Sequence, residues 1–360
     1  MEFLSYDLIS GKHESAEKEW CPHKSLGPNA FEWHYFTAPL KGDNGHLYFL
    51  FFCDFNFNSE LYRKAAMSSG DLHGSVPNDR IPIVNTVHLS DYDSGLYLNG
   101  HDTVLCKPGK LFDTEKNMLM IHDEERADSY DIRFSYKGDS VSLYAKTDIY
   151  ECELSCRGAS RVMWMQDTIG KEGLIREGGK TERSFYYSLP QLPFTGWIKY
   201  RDKDGKEQKV DVTGDGWIDR QWGNFMTMSW EWTSFRFNDG DRLNTYNFGN
   251  GYQVCTLQMA DGKTESYPKF TVVQNGYLRT PAKTWVSWGW DYYLPLKDGY
   301  YKLVPYSDKN IILSKMNTFF EGLSTIYDKE GKVIGCAVTE SMDVKLMHNG
   351  PYDKFNNFPD

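Results

Sequence analysis

Between Gly214 and Gly223 the chain reads Gly-Asp-Gly-Trp-Ile-Asp-Arg-Gln-Trp-Gly, which sets Trp217, Asp219, Arg220 and Trp222 within one short stretch. In a strand, successive side chains alternate, so Trp217, Asp219 and Gln221 share one face and Ile218, Arg220 and Trp222 the other. A carboxyl group against aromatic surface either joins a buried ion pair or keeps its proton with a raised pKa. The first outcome makes a structural corner. The second makes an acid that can protonate a substrate.

Further groups carry chemistry-bearing side chains at strand spacing. Glu32 and His34 sit two apart in Glu32-Trp33-His34-Tyr35-Phe36 and so share a face. A carboxylic acid beside an imidazole can donate and regain a proton; the competing role is a polar pair at a barrel end or a buried hydrogen bond between strands. Asn85 and His88 form another set, because an amide can hold a carbonyl or carboxylate and a neutral histidine can relay a proton. A lone strand histidine also serves as a satisfied core residue. Asp219 and Arg220 point to opposite faces and cannot simply pair with each other, so each needs another partner, and Arg220 reads as architectural. Trp217, Trp222, Trp230, Trp232, Trp285, Trp288 and Trp290 supply rings, with Trp230 and Trp232 sharing one strand face and Trp288 and Trp290 another. Tyr35 and Tyr187 could add hydroxyl donors. Glu321 and Glu340 are further acids on late strands. No Gly-rich loop reads as a phosphate cradle, and the Gly-x-Ser-x-Gly, His-Glu-x-x-His and calcium-loop patterns are missing. Chemistry without a cofactor or metal is expected.

The elements that must position these groups are strands. Short alternating runs such as Ser140–Ala145 and Ile198–Lys206 lie between turns at Asp43-Asn44-Gly45, Asp204-Gly205, Asn238-Asp239-Gly240, Ala260-Asp261-Gly262 and Glu330-Gly331. Strand-turn-strand at this spacing is the signature of sandwiches and barrels. Helical signals are few, the best covering Ser59–Met67. The chain is expected to be all-β. At 360 residues it is long for one core, so two domains follow. The polar hairpin at 201–209 suggests a division, giving 1–210 and 211–360. An internal echo supports it: Glu32-Trp33-His34-Tyr35-Phe36 opens one half and Trp230-Glu231-Trp232-Thr233-Ser234-Phe235 lies early in the other.

Composition narrows the partners. A net charge of −10 and a pI near 5.4 leave no basic stripe for nucleic acid. With 24 Tyr, 21 Phe and 11 Trp, the chain needs large cores or an enclosed apolar cavity to hide its rings. The longest apolar run, Leu47–Cys53, has the length of a buried strand and not of a membrane span. Met1–Asp7 shows no basic region followed by an apolar stretch, and seven scattered cysteines fit reduced, buried thiols, so a cytoplasmic location is expected.

Several segments together resemble the AttH-like and carotenoid 1,2-hydratase (hydroxyneurosporene synthase) family. They are Phe31–Ala38 with its Leu40-Lys41 hairpin, Asn85–Asp91, Phe185–Leu189, Gly216–Gly223, Phe319–Gly322 and Val338–Glu340, in family order over residues 30–342. The family usually has a tryptophan where His34 stands, an acid where Gln221 stands and a tryptophan where Phe320 stands. The resemblance implies paired lipocalin-type barrels and an apolar polyene substrate, with chemistry ranging over alkene hydration, terpene cyclisation and decalin-forming Diels–Alder closure.

The expectation is therefore a cofactor-independent cyclase. It folds a linear isoprenoid or polyene in an aromatic-lined pocket between two barrels, with Glu32 or Asp219 as general acid. Orientation alone can supply on the order of 7–11 kcal/mol, and π faces can stabilise a carbocation. Alternatives are [4+2] closure of a polyketide polyene, hydration, or a lipocalin-like carrier that transforms nothing. Peripheral membrane contact could serve to collect the substrate.

Overall fold

The structure, a computed structural model, describes residues 11–24, 30–56, 59, 77–123, 130–166, 171–176, 183–224, 229–296, 299–313 and 318–344. Among these the helical structure is two 3-10 turns, Lys18–Trp20 and Pro108–Lys110, and the single residue Val344; all other regular structure is β. The protein is all-β, with two curled antiparallel sheets of the lipocalin-like kind. The expected helix at Ser59–Met67 lies outside the described residues apart from Ser59. No helix among the described residues is long and apolar enough to cross a membrane.

The chain divides into two compact units, Met1–Val162 with Ser184–Phe225, and Met163–Arg183 with Met226–Asp360. In the first, the strands are β1 (Ala30–Gly42), β2 (Leu47–Asn56), β3 (Ile81–Asp91), β4 (Leu96–Cys106), β5 (Phe112–Asp113), β6 (Met118–His122), β7 (Asp131–Lys137), β8 (Ser140–Lys146) and β9 (Tyr150–Arg157). The chain then passes through two short strands that belong to the second unit, β10 (Met163–Trp164) and β11 (Leu174–Ile175), before the first unit resumes with the long pair β12 (Arg183–Arg201) and β13 (Glu207–Asn224). The sheet order is β4-β3-β2-β1-β13-β12-β9-β8-β7-β6-β5, curling until β4 lies against β6. The polar hairpin at 201–209 joins β12 to β13 inside this unit, and β13 pairs with β1 from Ala30↔Asn224 to Gly42↔Val212.

The second unit contains β14 (Trp230–Phe237), β15 (Arg242–Phe248), β16 (Gln253–Gln258), β17 (Thr264–Tyr267), β18 (Thr271–Gln274), β19 (Tyr277–Arg279) and β20 (Trp285–Ser287). It is completed by β21 (Trp290–Tyr293), β22 (Tyr300–Pro305), β23 (Ile311–Leu313), β24 (Thr318–Tyr327) and β25 (Val333–Ser341). Its main sheet runs β17-β16-β15-β14-β25-β24-β22-β21-β18, with β23 on β24 and a separate β19–β20 hairpin. The core joins Phe235, Leu243, Trp290, Tyr292, Tyr301 and Phe320.

Burial separates two kinds of strand. β7, β8 and β9 alternate buried and wetter positions, as in Asp131-Ile132-Arg133-Phe134-Ser135-Tyr136, the pattern of a sheet with one solvated face. In β3 and β14 every residue is buried, and β1 and the end of β13 are nearly so. Polar side chains there have lost water on both faces and must be satisfied within the protein. The candidate residues concentrate in these strands.

Candidate active site

Register sorts the first unit's candidates into two sets. Glu32 lies opposite Trp222 and Asn56, and His34 opposite Arg220 and Asp54, so these six side chains share the barrel's inner face. Tyr35 lies opposite Asp219 and Cys53, and Thr37 opposite Trp217, which places them on the outer face. As the alternation requires, Asp219 and Arg220 point apart.

The inner set is an ion network that ties the N-terminal segment to the barrel. Arg220, fully buried, donates to the carbonyls of Glu19 (3.2 Å), Cys21 (3.2 Å), Trp33 (3.1 Å) and Gln221 (3.3 Å), and pairs with Glu32. His23 bridges Glu32 (2.8 Å) and Glu19 (2.7 Å), and the Asn56 amide donates to Glu32 at 2.7 Å. Trp222 stacks on His23 at 4.8 Å, with Arg220 over its ring at 5.5 Å. Tyr187 donates to the Ala16 carbonyl at 2.9 Å. Burial alone would raise the Glu32 pKa, but Arg220 and His23 outweigh it and hold the carboxyl well below the usual range. Glu32 is thus a fixed carboxylate. These partners favour its charged form, against the protonated form that the expected general-acid role requires.

His34 donates through Nε2 to the Trp20 carbonyl at 2.9 Å and faces Asp54 through Nδ1 at 3.4 Å. It does not bond Glu32, so the expected acid–imidazole pair is instead two separate pairs. Asp54 is an acid that sequence reasoning missed; its signal was an isolated carboxyl inside Phe-Phe-Cys-Asp-Phe. Burial raises its pKa, with His34 and Arg220 opposing. Packed rings wall the pair in: Trp20 meets His34 at 4.7 Å and Phe134 at 4.8 Å, and Phe134 meets Phe52 at 5.7 Å.

Asn85 and His88 also separate. Asn85 is on the inner face, where Tyr130 donates to its Oδ1 and its amide donates to the Cys53 carbonyl at 3.2 Å. His88 is on the outer face, with Nδ1 donating to Asn99 Oδ1 at 2.8 Å and Nε2 accepting from Ser90 at 2.6 Å. Three residues along a strand reverse the face. Burial pushes the His88 pKa down to about 4, against the Asn99 hydrogen bond, so its ring is neutral at physiological pH.

The outer face holds an acid in a different setting. Asp219 is 3% exposed, and its Oδ1 accepts from Ser188 Oγ at 2.5 Å and from Trp217 Nε1 at 2.7 Å. Ser188 Oγ lies 3.4 Å from the Tyr186 hydroxyl, and Gln221 donates to Ser184 at 2.8 Å. Tyr35 is in register beside Asp219, its ring edge-on to Phe51 at 5.6 Å. Two donors on one oxygen fix the plane of the carboxyl group, and Trp217, Tyr35 and Tyr186 supply rings around it. Tyr186 and Ser188 were missed as site residues.

In the second unit Trp230 and Trp232 share a face of β14, as alternation predicts. Trp230 donates to Glu340, and Glu340 lies in register between Trp232 and Glu321. Glu321 is fully buried. Trp288 and Trp290 do not share a strand face: Gly289, at φ +76°, turns the chain between them, and both rings meet Phe320 at 5.6 and 5.9 Å. Trp285 lies on the β19–β20 hairpin under Arg279. A pocket of about 250 Å³ is lined by Phe237, Asn238, Asp239, Tyr301, Lys332, Val333 and Ile334, none of them a candidate. Among the described residues no group of three or more His, Cys, Asp or Glu side chains could hold a metal ion.

No curated protein matches the sequence significantly. Among solved structures, an AttH from Nitrosomonas europaea is 20% identical with a TM-score of 0.70, covering 94% of this chain and 99% of its own. Kievitone hydratase from Nectria haematococca is 14% identical with a TM-score of 0.58, covering 89% and 90%. CghA is 11% identical with a TM-score of 0.50, covering 90% and 94%. At these identities the likeness is one of fold. The sequence pattern of the AttH-like family matches residues 18–340, nearly the whole chain, and the protein belongs to the AttH-like family.

Proposed function

We propose that this protein is an enzyme that protonates a carbon–carbon double bond in an apolar, isoprenoid-like small molecule, with Asp219 as the acid and no cofactor. The observation that carries this is the setting of Asp219: a buried carboxyl oriented through one oxygen by Ser188 and Trp217. Protonating an alkene needs an acid kept in place and π faces to spread the resulting positive charge. Trp217, Tyr35 and Tyr186 are suited to the second task.

Capture of the cation by water, a hydration, is the first reading of its fate. The hydroxyls of Ser188 and Tyr186 and the amide of Gln221 can hold a water beside the acid, and one structural neighbour is named a hydratase. Ring closure is the second reading. Ring density favours it, because a cation screened by Trp217 and Tyr35 survives long enough to meet a second double bond of the same substrate. Incubation with a panel of prenylated and polyene compounds, followed by mass spectrometry, separates the readings. Hydration adds one water, closure gives an isomer at unchanged mass, and a carrier returns the ligand unchanged at the same retention time. A carrier result for every compound would overturn the enzyme reading.

A further inference from the structure

Two hairpin turns and one strand enclose the cavity of about 250 Å³ at one end of the second unit's barrel. The turn from β14 to β15 contributes Phe237, Asn238 and Asp239, the entry to β25 contributes Lys332, Val333 and Ile334, and β22 contributes Tyr301. Each turn is braced by its own aspartate. Asp239 Oδ1 accepts from the backbone N–H of Asp241 at 3.1 Å, and Asp328 Oδ1 from that of Lys332 at 2.8 Å. The backbone N–H of Asn238 donates to the Ile334 carbonyl at 2.8 Å and holds the first turn against β25. Walls braced in this way are preformed, as in most small-molecule sites.

The lining is apolar below and charged at the rim. Phe237 and Tyr301 are the last rings of the core and meet at 5.2 Å, with Phe235 stacked behind Phe237 at 5.8 Å. Val333 is aliphatic yet 49% exposed. Lys332, next to it, is exposed, and its ammonium has neither an ion-pair nor a hydrogen-bond partner among the described residues. Asp239 supplies the one carboxylate of the lining. A cavity that holds benzene measures about 150 Å³ and drug-sized ligands take roughly 300–1,000 Å³. This one suits one or two fused rings.

The geometry points to a ligand site in this cavity for a small aromatic carboxylate, its flat apolar body against Phe237, Tyr301, Val333 and Ile334 and its charge on Lys332. Covering the apolar lining supplies most of the binding. An exposed ion pair adds little, so Lys332 sets the preference for an anion and Asp239 opposes it. No part of the site involves Asp219, so the failure of one claim is distinct from the failure of the other.

Calorimetric titration of the whole chain with indole-3-acetate and with its neutral amide, indole-3-acetamide, tests the site. Both should bind saturably, the carboxylate about two- to fivefold more tightly at low ionic strength. Lys332→Met should bring the carboxylate down to the affinity of the amide. Asp239→Asn, which keeps the oxygen that braces the turn, should tighten the carboxylate and leave the amide unchanged. Val333→Asp, verified as folded by circular dichroism, should abolish binding of both; should it not fold, the Lys332→Met and Asp239→Asn titrations decide. No saturable binding, equal affinity of the two ligands, a carboxylate preference that survives Lys332→Met, or unchanged binding in folded Val333→Asp would each overturn the site.

Discussion

Asp219 and Glu32 are both buried carboxyl groups on neighbouring strands, and the proposed function gives them opposite tasks. Glu32 faces a guanidinium and an imidazole, so its charge is part of the scaffold. Asp219 faces a hydroxyl and an indole. Asp219→Asn should lower turnover by roughly 10²–10⁴-fold, the usual worth of a positioned acid, with little change in the unfolding midpoint. Glu32→Gln should do the reverse, leaving Arg220 buried with one charged partner fewer at a cost of about 3–5 kcal/mol. The pH dependence follows from the sign of the shift. The folded-state pKa of Glu32 lies below the unfolded one, so its stabilisation is complete above roughly pH 4.3 and fades as the pH falls toward the folded value. Denaturant melts should show a wild-type advantage over Glu32→Gln at pH 7 that narrows at pH 3; an equal gap at both would contradict the ion-pair role. Asp54 is shifted the other way, so the stability it contributes falls as the pH rises through its raised pKa. Asp54→Asn should flatten that decline.

At the scale of elements, placing Asp219 beside Tyr35 depends on the β1–β13 pairing. Gly214 lies opposite Leu40, and a Cβ there would come within 2.1 Å of the Pro39 carbonyl oxygen. Gly214→Ala should therefore push the two strands apart and cost about 1–3 kcal/mol, the usual penalty of forced overpacking; an unchanged melting curve would show that the pairing bends more easily than its packing implies. These strands were legible in the sequence because turn chemistry marks their ends: Gly45, Gly205, Gly240, Gly262 and Gly331 all take the positive φ expected of them. Alternation also placed Glu32 with His34, and Asp219 apart from Arg220. It failed for Trp288 and Trp290, where a left-handed glycine breaks the period; Asn85 and His88, three apart, lie on opposite faces as alternation itself requires. Partners were the least legible feature. Nothing local to Glu32 announces His23 or Arg220, which reach it from the segment just after the first 3-10 turn and from a strand far along the chain.

At the scale of the molecule, the seven cysteines are free, with six buried and Cys336 half-buried. Burial pushes the Cys106 and Cys152 thiols up to about 12 and Cys156 to about 11, so little thiolate is present at neutral pH. A thiol-reactive chromophore should titrate all seven in guanidinium and react only slowly with the folded chain, and reducing agent should leave the melting temperature unchanged. Rapid native reaction of several thiols would contradict the buried arrangement. The same logic of enclosure explains why so acidic and aromatic a chain folds: its rings fill two barrels, and its buried polar groups occupy the strands that are dry on both faces.

Proton transfer from Asp219 to substrate carbon is the claim on which the functional account rests, and turnover in D₂O reads it directly. Product from the wild-type chain should carry one deuterium on carbon, visible by mass spectrometry and placed by NMR, and Asp219→Asn should form almost none. Efficient turnover with no deuterium on carbon, or undiminished labelling by Asp219→Asn, would contradict it.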